Sequence, residues 1–496
     1  MMKRNSQFWF IVGAQHLYGS ETIDQVYEHA TTMMKFLNES SLLESEVVCK
    51  PVVKSSSEIE KVISEANNDE RCAGIITWMH TFSPAKMWIA GLIRLQKPLL
   101  HFATQYNRDI PWGSIDMDFM NLNQSAHGDR EYGYMQTRLR QARKIVVGHW
   151  QDEEVIAQIG GWMRTAIAAM EARSLKVARF GDNMREVAVT DGDKIEAQIK
   201  LGWTVNGYGI GELVTRMNQV SEAEVTELMK QYEQQYDIPN KSDPAVYAAI
   251  AYQAKIEIAL KAFLDEGGYS AFTTTFEDLF GMDQLPGLAA QRLMEQGYGF
   301  AGEGDWKTAA LVRMLKIMSN NIGTSFMEDY TYHLEQGNEL VLGSHMLEVC
   351  PTIAVDKPTI EVHPLGIGGK NAPARIVFNG KAGKALNASI VDMGNRFRLV
   401  INEVEAVAIK SEQAMPKLPV ARVLWQVKPD LKRGVECWIR AGGAHHTAFS
   451  YTVTTEQLLD LAEILDIEAV VIDEATDVLQ FRQQLKYAEA AWLNRV

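Results

Sequence analysis

From Gln7 to about Gln105, short apolar runs alternate with longer amphipathic ones. Phe8–Val12, Glu46–Val53, Cys72–Trp78 and Pro98–Ala103 read as strands. Glu21–Leu37, Ser56–Asn67 and Pro84–Leu95 read as helices, the last with Ser83 as its cap. Strands alternating with helices build a parallel sheet with right-handed crossovers, and ligands of such sheets sit at the loops that follow the strands. Gln15-His16-Leu17-Tyr18 and His80-Thr81-Phe82-Ser83 both fall in such loops. After a helix over Glu153–Arg173, Leu175–Phe180 opens a second alternating stretch. Its helix signals are clear: a capping box of Ser221 and Glu224, and Asp243-Pro244 opening an alanine-rich helix that Gly267-Gly268 stops. Ala271–Phe276 is the next strand and Asp305–Met318 the next helix.

Beyond about Thr324 the pattern changes. Glu339–Leu342, Thr359–His363, Ala374–Phe378, Ala388–Asp392, Phe397–Asn402 and Ala421–Val427 are strand-like runs broken by Gly, Pro, Asn and Asp. Many short strands with few helices indicate a barrel or a sandwich. Helices near Thr455–Leu465 and Leu479–Leu493 close the chain. The expected architecture is two α/β (Rossmann-like, parallel-sheet) domains, 1–174 and 175–324, followed by a mostly β, barrel-like domain, 325–496.

Composition narrows the function. The 496 residues are 46% apolar and 23% charged, a globular balance with ample length for several cores. With 49 Lys and Arg against 63 Asp and Glu, the formal charge is −14, a sign that repels nucleic acid and anionic membranes. Four scattered cysteines form neither a disulfide framework nor a zinc ribbon. The apolar run before Gly13 is too short for a signal core or a membrane span, so a cytoplasmic protein is expected.

Two glycine clusters invite a nucleotide reading and fail it. Gly366-Ile367-Gly368-Gly369-Lys370 lacks the first glycine of a phosphate loop and has Asn371 where Ser or Thr belongs. Gly207-Tyr208-Gly209-Ile210-Gly211 is GxGxG rather than GxGxxG. A stronger signal is a set of carboxylates and histidines. Glu303 lies between Gly302 and Gly304, Glu328 and Asp329 follow a Gly323-Thr324-Ser325 turn, His345 and Glu348 follow a strand, and His445 and His446 stand behind small residues. Two carboxylates and two imidazoles suit a divalent ion such as Mn²⁺. Structural roles compete with that reading: Asp305 as a helix cap, His345 as a histidine at a strand end. Adjacent strand residues point opposite ways, so at most one of His445 and His446 is expected to ligate.

The strings GEGDWKTA (from Gly302), GTSFMEDYTYH (from Gly323), LGSHMLEVCP (from Leu342), LGIGGK (from Leu365) and AGGAHHT (from Ala441) closely resemble those of the L-arabinose isomerases. So do QHLYG, WMHTFSPAKMW, PWGSIDMDFMNLNQSAHGDREYG, FGDNMREVAVTDGDK and TTTFEDL, in order along essentially the whole chain. The bacterial form is the nearest match. The resemblance implies one Mn²⁺ per subunit held by Glu303, Glu328, His345 and His446. It implies interconversion of L-arabinose and L-ribulose in the cytoplasm, with D-galactose to D-tagatose as a slower side reaction. Gln15, Leu17, Met184, Phe276 and Ile367 match positions lining the sugar pocket, and His445 is assigned to substrate handling. His127 lies in a stretch rich in Asn, Gln, Ser and Gly that reads as a loop. The resemblance also implies a homohexamer in which this segment, with Gln124 and His127, reaches a neighbouring subunit's site.

Moving a carbonyl from C1 to C2 removes a proton from C2, delivers one to C1 and passes one between the oxygens. The developing enediolate needs positive charge beside its oxygens, and two flanking carboxylates can act as base and acid. Glu303 and Glu328 are the natural pair, though a hydride shift would need no carbon base. A sugar-binding protein of the exported type would need a leader, and a dehydrogenase or sugar kinase a phosphate loop. The nearest enzymatic rival is an L-fucose-type isomerase.

Overall fold

The computed structural model describes residues 6–494; residues 1–5, part of the stretch read for a leader, and 495–496 lie outside them. The chain forms two compact units, divided between Met170 and Glu171.

The first unit is built on five parallel strands, β1 (Gln7–Val12), β2 (Glu46–Cys49), β3 (Cys72–Trp78), β4 (Leu99–Ala103) and β5 (Lys144–Val147), in the order β2-β1-β3-β4-β5. Every residue of β3 is buried, as a parallel strand covered on both faces requires. Trp162, on the helix Glu153–Ala172, packs on Phe8 with ring centres 5.4 Å apart. The switch in strand order falls between β1 and β3, so the two polar strings lie on the loops where the crevice of this fold opens.

Four expectations need correction here. The second strand ends at Cys49 rather than Val53, because Pro51 has no N–H to continue the ladder. The helix from Pro84 is a tight 3₁₀ turn, Ala85–Trp88, running into Ile89–Arg94. Ser83 does not cap it; its Oγ accepts the Trp88 indole N–H at 3.0 Å. The polar stretch around His127 is helical, Met117–Leu122 and then Ser125–Arg138, the first capped by Asp116, which accepts the Phe119 N–H.

The second unit holds two main sheets and a two-stranded one. Strands β6 (Lys176–Phe180), β7 (Thr204–Tyr208), β8 (Ala271–Thr273) and β9 (Gly299–Ala301) are parallel, in the order β7-β6-β8-β9. The expected capping box at Ser221 and Glu224 is present, and Asp243 caps the helix Pro244–Gly267 with Gly268 left-handed at its end. The helix Trp306–Met318, buried almost all round, runs between this sheet and the next.

The second sheet of this unit is mostly antiparallel. Its strands are β10 (Thr324–His333), β11 (Leu340–Ser344), β14 (Gly383–Asp392), β15 (Phe397–Val407), β16 (Arg422–Val427), β17 (His446–Ser450) and β18 (Glu468–Ile472). A separate pair, β12 (Thr359–Val362) and β13 (Ala374–Val377), stands beside it. The order is β14-β17-β10-β11-β16-β15-β18, with a further pairing of β14 to β15. Only Gly323 of the Gly323-Thr324-Ser325 run is outside the strand; Thr324 and Ser325 already belong to β10, and Glu328 and Asp329 sit in its middle.

One buried group in the first unit makes a pH dependence. His80, fully buried after β3, stacks on Trp78 with centres 4.4 Å apart and shares a 2.8 Å hydrogen bond with His29. Burial, then the neighbouring His29, pushes its pKa down to about 3 from an ordinary 6.5. The unfolded chain thus takes up a proton below about pH 6.5 that the folded chain refuses. Stability from His80 is complete above that pH and falls, as the solution is acidified, by about 1.4 kcal/mol per pH unit until the folded pKa is reached. The difference in urea-unfolding stability between wild type and a His80→Phe variant, followed from pH 7.5 to 5, should change with this slope; a difference that does not vary with pH would rule His80 out as the source.

Candidate metal centre

The site grows from a turn and three strand ends. β9 stops at Ala301, and Gly302-Glu303-Gly304 reverses the chain into the helix that Asp305 caps. Glu303 itself is left-handed, φ 61°, a conformation costly for a side chain with a Cβ and held only when its surroundings insist. They do: the Met184 N–H donates to Glu303 O at 3.1 Å and the Gly304 N–H to Thr274 O at 2.9 Å.

Strand register supplies the other groups. On β10, Glu328 lies opposite Ser344 of β11 on one side and His446 of β17 on the other. His345, one residue past β11, therefore arrives beside Glu328, with Nε2 3.9 Å from Glu328 Oε2. His446 Nε2 stands 3.8 Å from Glu303 Oε2, and His445 Nε2 approaches the same oxygen at 3.4 Å. Donor atoms of Glu303, His445 and His446 all lie within 4.8 Å of one another. Phe326 meets the rings of His345 and His446 edge-on, at 4.8 and 4.9 Å, and walls off their inner side. Alternation along a strand does not separate the two adjacent histidines, because β17 begins at His446 and His445 precedes it in a bend.

Two further carboxylates orient the rings. His345 Nδ1 donates to buried Glu348 at 2.5 Å, and Glu348 also accepts the Leu347 N–H. His446 Nδ1 donates to Asp305 Oδ2 at 3.1 Å, while Asp305 accepts from Thr308 N–H and Oγ1–H. An imidazole whose Nδ1–H is committed to a carboxylate presents its Nε2 lone pair. That nitrogen of His446 is buried without a hydrogen-bond partner, which fits a bound cation. Asp305 is thus a cap, as its position suggests, and also a support for His446. Sequence reasoning gave neither it nor Glu348 this supporting role; Glu348's place three residues after His345 was the available hint.

The charges follow. Burial works against the Glu303 carboxylate, but the His445 hydrogen bond and the nearby His446, His445 and His345 outweigh it and lower its pKa. Burial likewise opposes Asp305, yet Lys307, His446 and Thr308 hold it down to about 2. For His345 burial is overcome by Glu348 and the pKa rises; for His446 burial prevails and the ring is held neutral. The hydrogen bond to Glu303 raises His445. Burial and the charge of Glu328 push Asp329 up to about 7.

The remaining predicted residues divide by unit. In the second unit, Phe276 lies 6.0 Å from the His345 ring and lines a small cavity with Leu279, Leu285, Pro286, Glu303 and Glu348. Met184 is half-buried beside the Glu303 turn. Ile367 is 40% exposed and does not line this cavity, although its loop is tied to the wall where Lys370 Nζ donates to Leu279 O. In the first unit, Gln15 begins the loop after β1 and Leu17 is 83% exposed. Gln124 donates to the Tyr18 hydroxyl, and His127 stacks on Phe82 at 4.4 Å.

Family models for the L-arabinose isomerase N-terminal, central and C-terminal domains match residues 2–174, 176–321 and 323–468. The chain belongs to the L-arabinose isomerase family. It is 62% identical over 494 residues to the L-arabinose isomerase of Geobacillus stearothermophilus, covering 99% of both chains. It is 60% identical over 488 residues to that of Thermotoga maritima, covering 98% of both. As a member of this family the chain is an enzyme, an aldose–ketose isomerase.

The packing around His345 yields a test. A Cβ on Gly302 would lie 2.9 Å from His345 Cε1 and 3.0 Å from Nε2, and Glu348 and Phe326 leave the ring no retreat. Gly302→Ala is expected to displace the imidazole and, if His345 is a ligand of a divalent ion here, to weaken binding of Mn²⁺ used as the probe about ten-fold or more, read by calorimetric titration. Unchanged affinity would take His345 out of the ligand set.

Proposed function

We propose that the chain interconverts L-arabinose and L-ribulose in L-arabinose catabolism, on a sugar held beside one divalent ion, Mn²⁺, per subunit. The observation that carries this reading is the convergence on Glu303 Oε2 of two imidazole Nε2 atoms, one of them buried and unpartnered. Glu303, Glu328, His345 and His446 would hold the ion. When bound, it supplies positive charge where the sugar's C1 and C2 oxygens become anionic.

The chain's own groups do the rest. Glu303, kept ionised, is ready to take a proton, and Glu328 sits across the site as its partner in acid–base exchange at C2 and C1, each worth ~10²–10⁴-fold. His445, at Glu303 Oε2, is placed to hold or pass a proton there and to handle the sugar. Phe276, Leu279 and Leu285 give the cavity an apolar wall. Met184 and Ile367 complete the second unit's sugar contacts in this reading. Gln15, Leu17, Gln124 and His127, all of the first unit, are also read as substrate-binding residues, Gln124 and His127 acting on a neighbouring copy in a homohexamer. D-galactose would be a slower substrate.

The wider picture is proposed on the same footing. No helix among the described residues is long and apolar enough to cross a membrane. Four free cysteines, three of them buried, suit a reducing cytoplasm. Three separate main sheets and the family-model boundaries support domains at 1–174, 175–324 and 325–496. Pairing of β14 with both β17 and β15 supports the barrel-like reading of the third.

Treating the protein with EDTA should abolish ketose formation from L-arabinose, and Mn²⁺ should restore it. Activity indifferent to both would remove the ion from the reaction. Glu303→Gln and Glu328→Gln keep side-chain size but cannot accept a proton, so each should lose at least about 10²-fold in kcat. A variant within a few-fold of wild type would exclude that residue from acid–base work.

A further inference from the structure

Arg185 follows Met184 in the loop after β6, and its side chain reaches the loop after β8. Its backbone N–H donates to Glu277 Oε2 at 3.1 Å, Nη1 to the same oxygen at 2.8 Å and Nη2 to Asp278 Oδ1 at 2.6 Å. Glu277 and Asp278 come directly after Phe276. The loops are also in close packing, since a Cβ on Gly181 would lie 2.9 Å from Thr275 Cγ2 and 3.1 Å from Asp278 Cβ. On its other side, Met184 is tied through its N–H to the carbonyl of Glu303. One arginine thus joins the loop of Met184 to the loop of Phe276, next to the turn that carries Glu303.

We propose that Arg185 is a positioning residue for the sugar: by clamping these two loops it sets the width of the pocket between Met184 and Phe276. This rests on the reading that Met184 and Phe276 line the sugar site. The guanidinium's planar fork serves two acceptors on one loop, a geometry that lysine's single ammonium cannot reproduce. Arg185 is largely exposed, 61% at its side chain, so dissolved salt screens the clamp. It does not reach the reacting atoms. Its loss therefore acts on sugar binding rather than on the chemical step.

Steady-state kinetics on the Mn²⁺-loaded enzyme, at low salt and at high NaCl, test this. Arg185→Gln should raise KM for L-arabinose about two- to five-fold at low salt, with kcat within about two-fold of wild type. High salt should raise the wild-type KM toward that of the variant, and Arg185→Lys should fall between them. A thermal melt of each variant checks the fold. If Arg185→Gln does not fold, Glu277→Gln with Asp278→Asn removes the acceptors and should give the same KM shift. Met184→Ala and Phe276→Ala, measured alongside, separate two failures. If they raise KM while Arg185→Gln keeps the wild-type KM at both salts, the clamp is overturned and the pocket assignment stands. If all three keep the wild-type KM, the pocket assignment falls and the clamp falls with it.

Discussion

Glu328 sits on β10 with Ser344 opposite it on one neighbouring strand and His446 opposite it on the other, and this register decides what the site contains. Side chains alternate along a strand, so a slip of one residue in either pairing would turn Glu328 or His446 to the wrong face. The register is in turn held by packing on both sides of the same strands: Met327 and Phe449 belong to one buried cluster with Trp425, which lies over Gly343 so closely that no Cβ fits there. Correct placement of the polar groups is thus enforced by apolar neighbours one residue away.

A second layer of carboxylates makes the placement chemically useful. Glu348 and Asp305 each accept a hydrogen bond from the Nδ1–H of one histidine, so the two buried rings turn the same nitrogen toward Glu328 and Glu303. Asp305 also caps the helix Trp306–Met318 and stands 3.7 Å from the Lys307 ammonium. The direction of His446 is therefore tied to the start of a buried helix, which moves less than a loop would.

Much of the α/β part was legible because its strands are near-continuous apolar runs and its helices carry recognisable caps. β10 escaped because only its first four residues are buried and its outer half is Asp, Tyr, Thr and His. β17 is wholly buried, yet His-Thr-Ala-Phe-Ser has no apolar signature. The helix bearing His127 read as loop because its first turns are Ser, Ala, His and Gly, with polarity standing in for disorder. The candidate site itself was visible only as residue types in suggestive strings and through family resemblance. Its members are 25, 17 and 101 residues apart, distances that strand pairing bridges and no local period encodes.

The turn at Glu303 carries a consequence for how the protein can change. Its left-handed backbone would suit glycine, and Glu303→Gly would release strain of about 1–3 kcal/mol. A search for heat-resistant variants that scored folding alone would be drawn to this position. It would harden the chain by deleting the carboxylate that two histidines surround. On the reading that Glu303 works in the reaction, robustness and activity compete here over a single codon.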